Sequence, residues 1–227
     1  MTVTVEMVSD LVCPWCWLGL RRLQGAMALA PDIQVDLRFR PYELDPTIPA
    51  EGTDYKTYMT DRLGGTGETD EAPERSKFRA MREALEQYGA AENIPFDFAG
   101  ITVRPNTFNA HRLVRWAQGQ GLGIDAKEAL FAAYFRDHRD IGKSEVLCEI
   151  AGEIGLDPAI VGDLLDRNAD HDAVRAEQQL FLDMGIRGVP TYVGDRRVAV
   201  QGAESAEKLA RFLRTLAAHQ PAEHGTA

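Results

Sequence analysis

The segment Ser9-Asp10-Leu11-Val12-Cys13-Pro14-Trp15-Cys16-Trp17-Leu18-Gly19 holds two cysteines three positions apart. Before it, residues 3–8 alternate in side-chain direction with Val3 and Val5 on one face, which predicts a β-strand. From Pro14 onward, apolar residues recur at helical spacing, which predicts an amphipathic helix ending near residue 31. The two cysteines are therefore expected at the junction between a strand and the helix that follows it.

The rest of the chain extends this pattern on both sides of a long helical block. Residues 33–39 alternate again and predict a second strand, so the first 40 residues are β–α–β. Near the end, Tyr192-Val193 and residues 197–200 predict two strands joined by a tight turn at Gly194-Asp195. The predicted helices lie at about 54–63, 73–88, 107–119, 125–138, 143–155, 158–167, 171–184 and 206–216.

This order resembles an α/β protein with a thioredoxin-like fold and an inserted all-helical domain. Residues 1–50 and 171–218 are expected to form the thioredoxin-like domain, with all its strands in one sheet. Residues 51–170 are expected to form the helical insertion. Residues 64–67 are predicted to be a surface break, and residues 219–227 a flexible tail.

Composition limits the classes of partner. The chain has 227 residues, 44% of them hydrophobic, and a formal net charge of -10. Such a surface repels a nucleic-acid backbone. No apolar run reaches the length of a membrane helix, and residues 1–5 lack the features of a signal peptide. We therefore expect a cytoplasmic globular protein with neither a nucleic-acid nor a membrane partner.

The cysteine count points to redox chemistry. There are three cysteines, Cys13, Cys16 and Cys148, an odd number that is too small for a disulfide framework. A structural zinc site usually needs four ligands, and no second Cys-x-x-Cys half is present, so no metal is expected. Cys13 and Cys16 are thus interpreted as a redox dithiol, and Cys148, on a predicted helix, as a small apolar side chain.

The strand-to-helix junction assigns different roles to the two sulfurs. The unpaired N–H groups and the dipole of a helix N-terminus favour a thiolate at Cys13. Cys16 lies one turn deeper and is expected to be less accessible. Cys13 is therefore predicted to be the nucleophile and Cys16 the resolving cysteine. Pro14 is expected to set the loop geometry, and Trp15 to offer an apolar contact to substrate.

A second segment, Gly188-Val189-Pro190-Thr191, is predicted to face the cysteines. In thioredoxin folds a cis-proline precedes the strand opposite the Cys-x-x-Cys loop. By this resemblance the Val189–Pro190 bond is predicted to be cis, a geometry that essentially only proline permits. Val189 would then present its backbone N–H and C=O to an extended substrate segment.

These segments together resemble a known family. Residues 9–19 resemble the active-site segment of DsbA-family oxidoreductases of the FrnE-like type, and residues 185–191 resemble the cis-proline segment of the same family. Residues 106–107 and 110–113 are also similar, so the resemblance spans about 3–216. It implies thiol–disulfide oxidoreductase activity through Cys13 and Cys16. Met7 stands where thioredoxins and DsbA hold a buried acid, and Trp15 replaces a DsbA histidine, so neither of those roles is implied.

Three functions stay open from the sequence. The first is a dithiol oxidoreductase acting on protein or small-molecule disulfides and thiols. The second is a glutathione-dependent enzyme resembling 2-hydroxychromene-2-carboxylate isomerase or kappa-class glutathione transferases, which typically carry serine at the position of Cys13. The third is a chaperone-like module that binds peptides beside Pro190. Apart from glutathione as a co-substrate, no cofactor is expected, and a homodimer through exposed helices is one alternative for assembly.

Overall fold

The computed structural model describes residues 1–62 and 73–219, with the backbone alone at 73–77. The break predicted at 64–67 and nearly all of the predicted tail lie outside these residues. No helix in this part of the chain is both long and apolar enough to cross a membrane. The elements in chain order are β1 (Thr2–Ser9), α1 (Pro14–Ala28), β2 (Gln34–Pro41), β3 (Thr53–Asp54), α2 (Tyr55–Arg62), α3 (Pro73–Ala91), β4 (Val103–Arg104), α4 (Phe108–Gly119), α5 (Gly123–Phe135), α6 (Ser144–Glu153), α7 (Pro158–Asp166), α8 (His171–Asp183), β5 (Thr191–Gly194), β6 (Val198–Gln201) and α9 (Ala206–Ala218).

The main sheet has the strand order β2-β1-β5-β6, which confirms that the late hairpin joins the first two strands. β1 pairs in parallel with β2 and antiparallel with β5, and Val8 lies opposite Thr191. The parallel β1–β2 pair follows the β–α–β order, because parallel neighbours need a crossover connection. This arrangement brings the end of β1, which leads to the cysteines, beside the start of β5, which follows Pro190.

The turn of the late hairpin lies one residue later than predicted. Gly194 ends β5, and the turn is formed by Asp195 and Arg196, both with positive φ (46° and 56°). The N–H of Arg197 donates to the carbonyl of Gly194 at 2.9 Å and closes the turn. Gly194 is required for packing instead, since a Cβ there would overlap Leu216 of α9.

The segment expected to be all-helical contains a short β-ladder. β3 and β4 pair antiparallel, with Thr53 opposite Arg104. Beyond the ladder, the N–H of Tyr55 donates to the carbonyl of Thr102 at 2.9 Å. Two-residue strands are too short to give a periodic pattern, so the sequence predicts at most a short extended piece within the irregular segment 93–105. The ladder fixes the start of α2 against β4, which carries Arg104.

Helix α5 packs against α1, directly behind the cysteines. Trp17 of α1 is buried and stacks on Phe131 and Phe135 of α5, with ring centroids 5.9 and 6.1 Å apart. Its indole N–H donates to Glu128 at 2.7 Å, which satisfies the polar edge of a buried ring. Trp17 is therefore part of the core, and this packing places α5 next to the first turn of α1.

Candidate active site

Cys13 stands at the junction of the β1–α1 connection and the helix. It is the residue before α1, with extended backbone angles (φ −101°, ψ 108°), and Pro14 occupies the first helical position, where a missing N–H costs nothing. The Cys13 side chain makes no capping hydrogen bond, and the Cys16 N–H donates to the Cys13 carbonyl at 2.9 Å, so the dipole of α1 is what favours an anion at this end of the helix. Cys13 is 5% exposed and Cys16 is 0% exposed, so Cys13 is the more accessible sulfur.

The segment 188–191, called the proline loop below, lies against the Cys13 sulfur. The Val189–Pro190 peptide bond is cis, as expected from the sequence. The Cys13 Sγ lies 3.9 Å from the carbonyl oxygen of Val189, although the two residues are 176 positions apart. The loop is held by Thr191, whose hydroxyl donates to the carbonyl of Gly188 at 2.7 Å. A substrate sulfur approaching Cys13 would therefore also meet the backbone of Val189.

Cys16 and Lys127 form a buried pair behind Cys13. Burial raises the pKa of the Cys16 thiol well above its usual value, and the neighbouring Cys13 raises it further, whereas the charge of Lys127 acts in the opposite direction. Lys127, on α5, is 1% exposed, and its Nζ donates to the hydroxyl of Ser9 at 2.8 Å. Burial lowers the pKa of this lysine to about 8. A cation next to Cys16 favours its thiolate form.

Asp10 anchors the turn that leads to Cys13. Its carboxylate accepts hydrogen bonds from the N–H groups of Leu11 and Leu44, both at 2.7 Å. His111 Nε2 lies 3.5 Å from the same carboxylate. Burial acts to raise the pKa of Asp10, but the hydrogen bond and charge of His111, with the charge of Arg104, hold it below its usual value. Asp10 is thus a buried anion that fixes the turn.

A cavity of about 340 Å³ opens beside Cys13. Its walls come from the cysteine loop, the proline loop and the helices between β2 and α8. A larger cleft of about 1100 Å³ runs along β2 and α4 but has neither cysteine in its wall, so we place the site at the smaller one. The residues that line the smaller cavity are Val12, Cys13, Pro14, Trp15, Leu44, Tyr55, Tyr58, Met59, Arg62, Phe78, Met81, Arg82, Phe98, Arg104, Tyr134, Phe135, Gly188 and Val189.

The structure brings the residues named from the sequence together, in two layers. Four of them line the cavity: Cys13, Pro14, Trp15 and Val189. The other two, Cys16 and Pro190, are buried behind the lining.

The sequence interpretation missed two cations at this site, Lys127 and Arg104. Lys127 gave a weak signal, as a lone cation within the apolar face of α5. Arg104 gave none, because it follows a stretch without periodicity.

Comparison with known proteins identifies the family. Residues 4–214 match the family model described as the DSBA-like thioredoxin domain. The chain belongs to this family. The sheet, the flanking helices and the helices inserted between β2 and α8 are thus those of a DsbA-like thioredoxin fold. The match covers the domain as a whole, so the FrnE-like subtype stays a prediction.

Solved structures place this DsbA-like chain among related proteins. A crystal structure of SCO1869 from Streptomyces coelicolor, described as a probable DsbA oxidoreductase, has 28% sequence identity and a TM-score of 0.83, covering 96% of this chain and 92% of that one. A 2-hydroxychromene-2-carboxylate isomerase shares the fold, with 16% sequence identity and a TM-score of 0.67, covering 96% of this chain and 100% of that one. The cytosolic disulfide reductase DsbM from Pseudomonas aeruginosa, solved with GSH, also shares the fold. It has 19% sequence identity and a TM-score of 0.59, covering 95% of this chain and 99% of that one.

Proposed function

We propose that this DsbA-like protein is a thiol–disulfide oxidoreductase with Cys13 as nucleophile and Cys16 as resolving cysteine. One observation carries the proposal. The Cys13 sulfur lies at the open N-terminus of α1, in the cavity wall and 3.9 Å from the Val189 carbonyl, with Cys16 one turn behind it. A thiolate held at a helix N-terminus next to a second thiol is the arrangement that thiol–disulfide exchange requires.

The reaction follows from the different accessibility of the sulfurs. The Cys13 thiolate attacks one sulfur of a substrate disulfide, so that a mixed disulfide forms and a substrate thiolate leaves. Cys16 then loses its proton and attacks Cys13 Sγ, which releases the second substrate thiolate and leaves a Cys13–Cys16 disulfide. Two electrons pass from the protein to the substrate, and the reverse sequence oxidises a dithiol. The charge of Lys127 supports the second step, since it favours the Cys16 thiolate.

The glutathione-dependent isomerase is the second candidate. The isomerase fold matches 96% of this chain, so the fold does not separate the two functions. We favour the oxidoreductase because both positions are cysteines, whereas the glutathione-dependent isomerases typically carry serine at the position of Cys13. Glutathione is proposed as a co-substrate or reductant, since DsbM shares the fold and its structure was solved with GSH. The cytoplasmic location and the homodimer stay predictions.

The test compares Cys13→Ser, Cys16→Ser and the control Cys148→Ser. Mild oxidation of the wild type is expected to remove two hydrogens, localised by mass spectrometry to the peptide with Cys13 and Cys16. Cys13→Ser should abolish disulfide reduction, Cys16→Ser should accumulate the mixed disulfide, and Cys148→Ser should react like the wild type. Unchanged reduction by Cys13→Ser would refute the proposal. Tight glutathione binding, with isomerisation that survives Cys16→Ser, would favour the isomerase instead.

A further inference from the structure

We propose that the cavity beside Cys13 binds a low-molecular-weight disulfide or thiol in which a carboxylate or similar oxyanion is attached to an aromatic or branched apolar body. This inference rests on the proposed function and specifies its substrate. The proposed function alone leaves open whether the substrate is a protein or a small molecule. The charge, polar pairing and size of the cavity decide between them.

The charged side chains among the described residues of the cavity wall are all positive. Arg62, Arg82 and Arg104 line it, and no aspartate or glutamate stands among the described lining residues. The chain as a whole has a formal charge of -10, so this local excess runs against the composition. Guanidinium groups bind carboxylates and other oxyanions through paired N–H donors. The cavity is therefore electrostatically complementary to an anion.

Arg104 is the deepest of the three arginines and is incompletely paired. It is 7% exposed, and its Nη1 donates to the carbonyl of Val12 at a long 3.3 Å. Its Nε is buried without a hydrogen-bond partner among the described residues. Asp10 and Tyr134 both interact favourably with the guanidinium, the latter through a hydrogen bond, but neither provides an acceptor for its Nε. A buried donor without an acceptor is costly, so an oxyanion in the cavity would gain from pairing with this guanidinium.

Arg82 and Arg62 continue the positive charge outward. Arg82 is half-buried, with its guanidinium carbon 5.1 Å from the ring centre of Phe98. Arg62 is exposed and lies 6.0 Å from the ring centre of Tyr58, which also faces Arg104 at 5.0 Å. Among the described residues neither Arg82 nor Arg62 forms an ion pair. The three cations thus follow one another from the mouth of the cavity to its floor, each beside an aromatic ring.

The size and the remaining wall select a small molecule. A volume of about 340 Å³ falls within the ordinary range for small-ligand pockets, which are mostly apolar with a few placed polar groups. Trp15, Phe98 and Tyr134 supply flat apolar surface close to Cys13. An extended peptide needs an open groove with backbone partners along its length, whereas the described wall offers a substrate backbone only Gly188 and Val189 of the proline loop and is otherwise mainly rings and guanidinium groups. A small ligand whose aromatic or branched body carries an anionic group and the reacting sulfur would contact both the rings and the guanidinium groups.

The experiment compares two aromatic disulfides that differ in charge. The dianion 5,5′-dithiobis(2-nitrobenzoate) and the uncharged 4,4′-dithiodipyridine are each mixed with reduced protein, and the second-order rate of thiol release is followed. The parent carries Cys148→Ser, so that the half-buried third thiol does not contribute. The test variant is Arg82→Gln. The matched control is Arg79→Gln, an exposed arginine on the same helix that does not line the cavity.

Arg82→Gln is expected to slow the dianionic probe about tenfold, the size of one charge-assisted hydrogen bond of about 1.4 kcal/mol, and to slow the uncharged probe less than about twofold. Arg79→Gln should change neither rate. Added salt should slow the dianion more for the parent than for Arg82→Gln, because salt screens the interaction that the variant lacks. Equal slowing of both probes, or of neither, would overturn the inference. So would an equally strong slowing of insulin disulfide reduction.

A binding measurement separates this inference from the proposed function. The Cys13→Ser variant, which cannot exchange disulfides, is titrated with 2-nitrobenzoate and with uncharged 2-nitrobenzamide by calorimetry. We expect binding of the carboxylate alone, weakened about tenfold by Arg82→Gln. Arg82-dependent binding in a protein whose wild type reduces no disulfide would uphold the site and refute the oxidoreductase. Disulfide reduction without charge preference, together with no carboxylate binding, would uphold the oxidoreductase and refute the anion site.

Discussion

Lys127 carries a positive charge into the protein interior beside the active-site sulfurs. Its hydrogen-bond partner is Ser9, and the rings of Phe39 and Phe131 face the ammonium at 5.7 and 4.9 Å. Within the described residues no carboxylate forms an ion pair with it. The charged and titratable groups near it are Asp10, Cys13 and Cys16, with Arg40, His111, Arg115 and Glu177 around a small adjoining void. The charged lysine therefore lowers the stability of the folded state.

Lys127→Met is expected to change how stability depends on pH. In the wild type the folded-state pKa of about 8 lies below the usual 10.5, so the unfolded chain binds more protons between these values. The contribution of Lys127 to the wild-type free energy of unfolding should therefore rise with pH across this interval, by up to about 3 kcal/mol, whereas the raised pKa of Cys16 acts in the opposite direction near its upper end. The gain from Lys127 should be absent below pH 8. Lys127→Met lacks it, and should be about 2 kcal/mol more stable than the wild type at pH 7.

Urea unfolding of the reduced protein at several pH values between 7 and about 10.5 measures this difference. The control is Lys208→Met, which removes an exposed lysine paired with Glu204 and should leave the wild-type curve unchanged within about 0.5 kcal/mol. Parallel curves for the wild type and Lys127→Met would show that the buried ammonium does not titrate as described.

At this scale the sequence predicted the reacting groups but not their electrostatic surroundings. Cys13 and Cys16 were predicted because their spacing at a strand-to-helix junction is a local signal, and Pro190 was predicted from the resemblance to thioredoxin folds. Lys127 and Arg104 reach the site from distant segments, and only Lys127 gave even a weak signal of burial, from its place in the apolar face of α5. Their burial follows from how α5 and the β3–β4 ladder pack, which is tertiary information.

Helix α1 owes its close approach to the proline loop to one glycine. A Cβ at Gly19 would overlap the hydroxyl of Tyr192 and lie 2.9 Å from Cγ of Pro190. Tyr192 is fully buried and cannot move aside, so contact between the two active-site segments requires the glycine.

Gly19→Ala is expected to lower the free energy of unfolding by about 1–3 kcal/mol, the usual range for overpacking, and to slow the reaction of Cys13 because the proline loop must shift. Urea unfolding and the rate of thiol release measure the two effects. The matched control is Gly119→Ala, in α4, where an added Cβ meets nothing within 4 Å. The control should be neutral or up to about 1 kcal/mol more stable, as for glycine in an exposed helix. Equal behaviour of the two variants would contradict this account of Gly19.

Element types were largely predictable, because α1, α4 and the strands of the main sheet carry clear periodic patterns. Two local features were not. The hairpin turn lies at Asp195 and Arg196 because Gly194 is part of β5, where it packs closely against Leu216 and Phe212. The β3–β4 ladder has two residues in each strand, and its pairing depends on segments about fifty positions apart. In both cases a tertiary contact outweighs the local signal.

The sheet and the helices around it are joined by a network of ion pairs. Glu6 of β1, which is buried, pairs with Arg40 of β2 at 2.7 Å. Arg40 also pairs with Glu177 of α8 at 2.9 Å, and Glu177 pairs with Arg115 of α4 at 2.9 Å. The network thus connects strands β1 and β2 with helices α4 and α8.

Arg40→Met is expected to lower the free energy of unfolding by about 3 kcal/mol, because it leaves the buried Glu6 carboxylate with only a 3.5 Å contact to exposed Arg196 among the described residues. Arg38→Met is the control. It removes the same kind of side chain from the same strand, but the Arg38–Asp36 pair is exposed and should contribute less than about 1 kcal/mol. Denaturant titration of both variants tests this, and equal losses would show that the network does not join the layers as described.

The separation of 176 positions between Cys13 and Val189 has a consequence during synthesis. At about 5–20 residues per second, a ribosome needs on the order of 10–35 seconds to add the proline loop after the first cysteine has been made. Through that interval the nascent thiol has no β5 beside it and no closed cavity around it. Reductants and chaperones that meet the emerging chain thus act on an unshielded sulfur, and only translation of the last quarter completes the site.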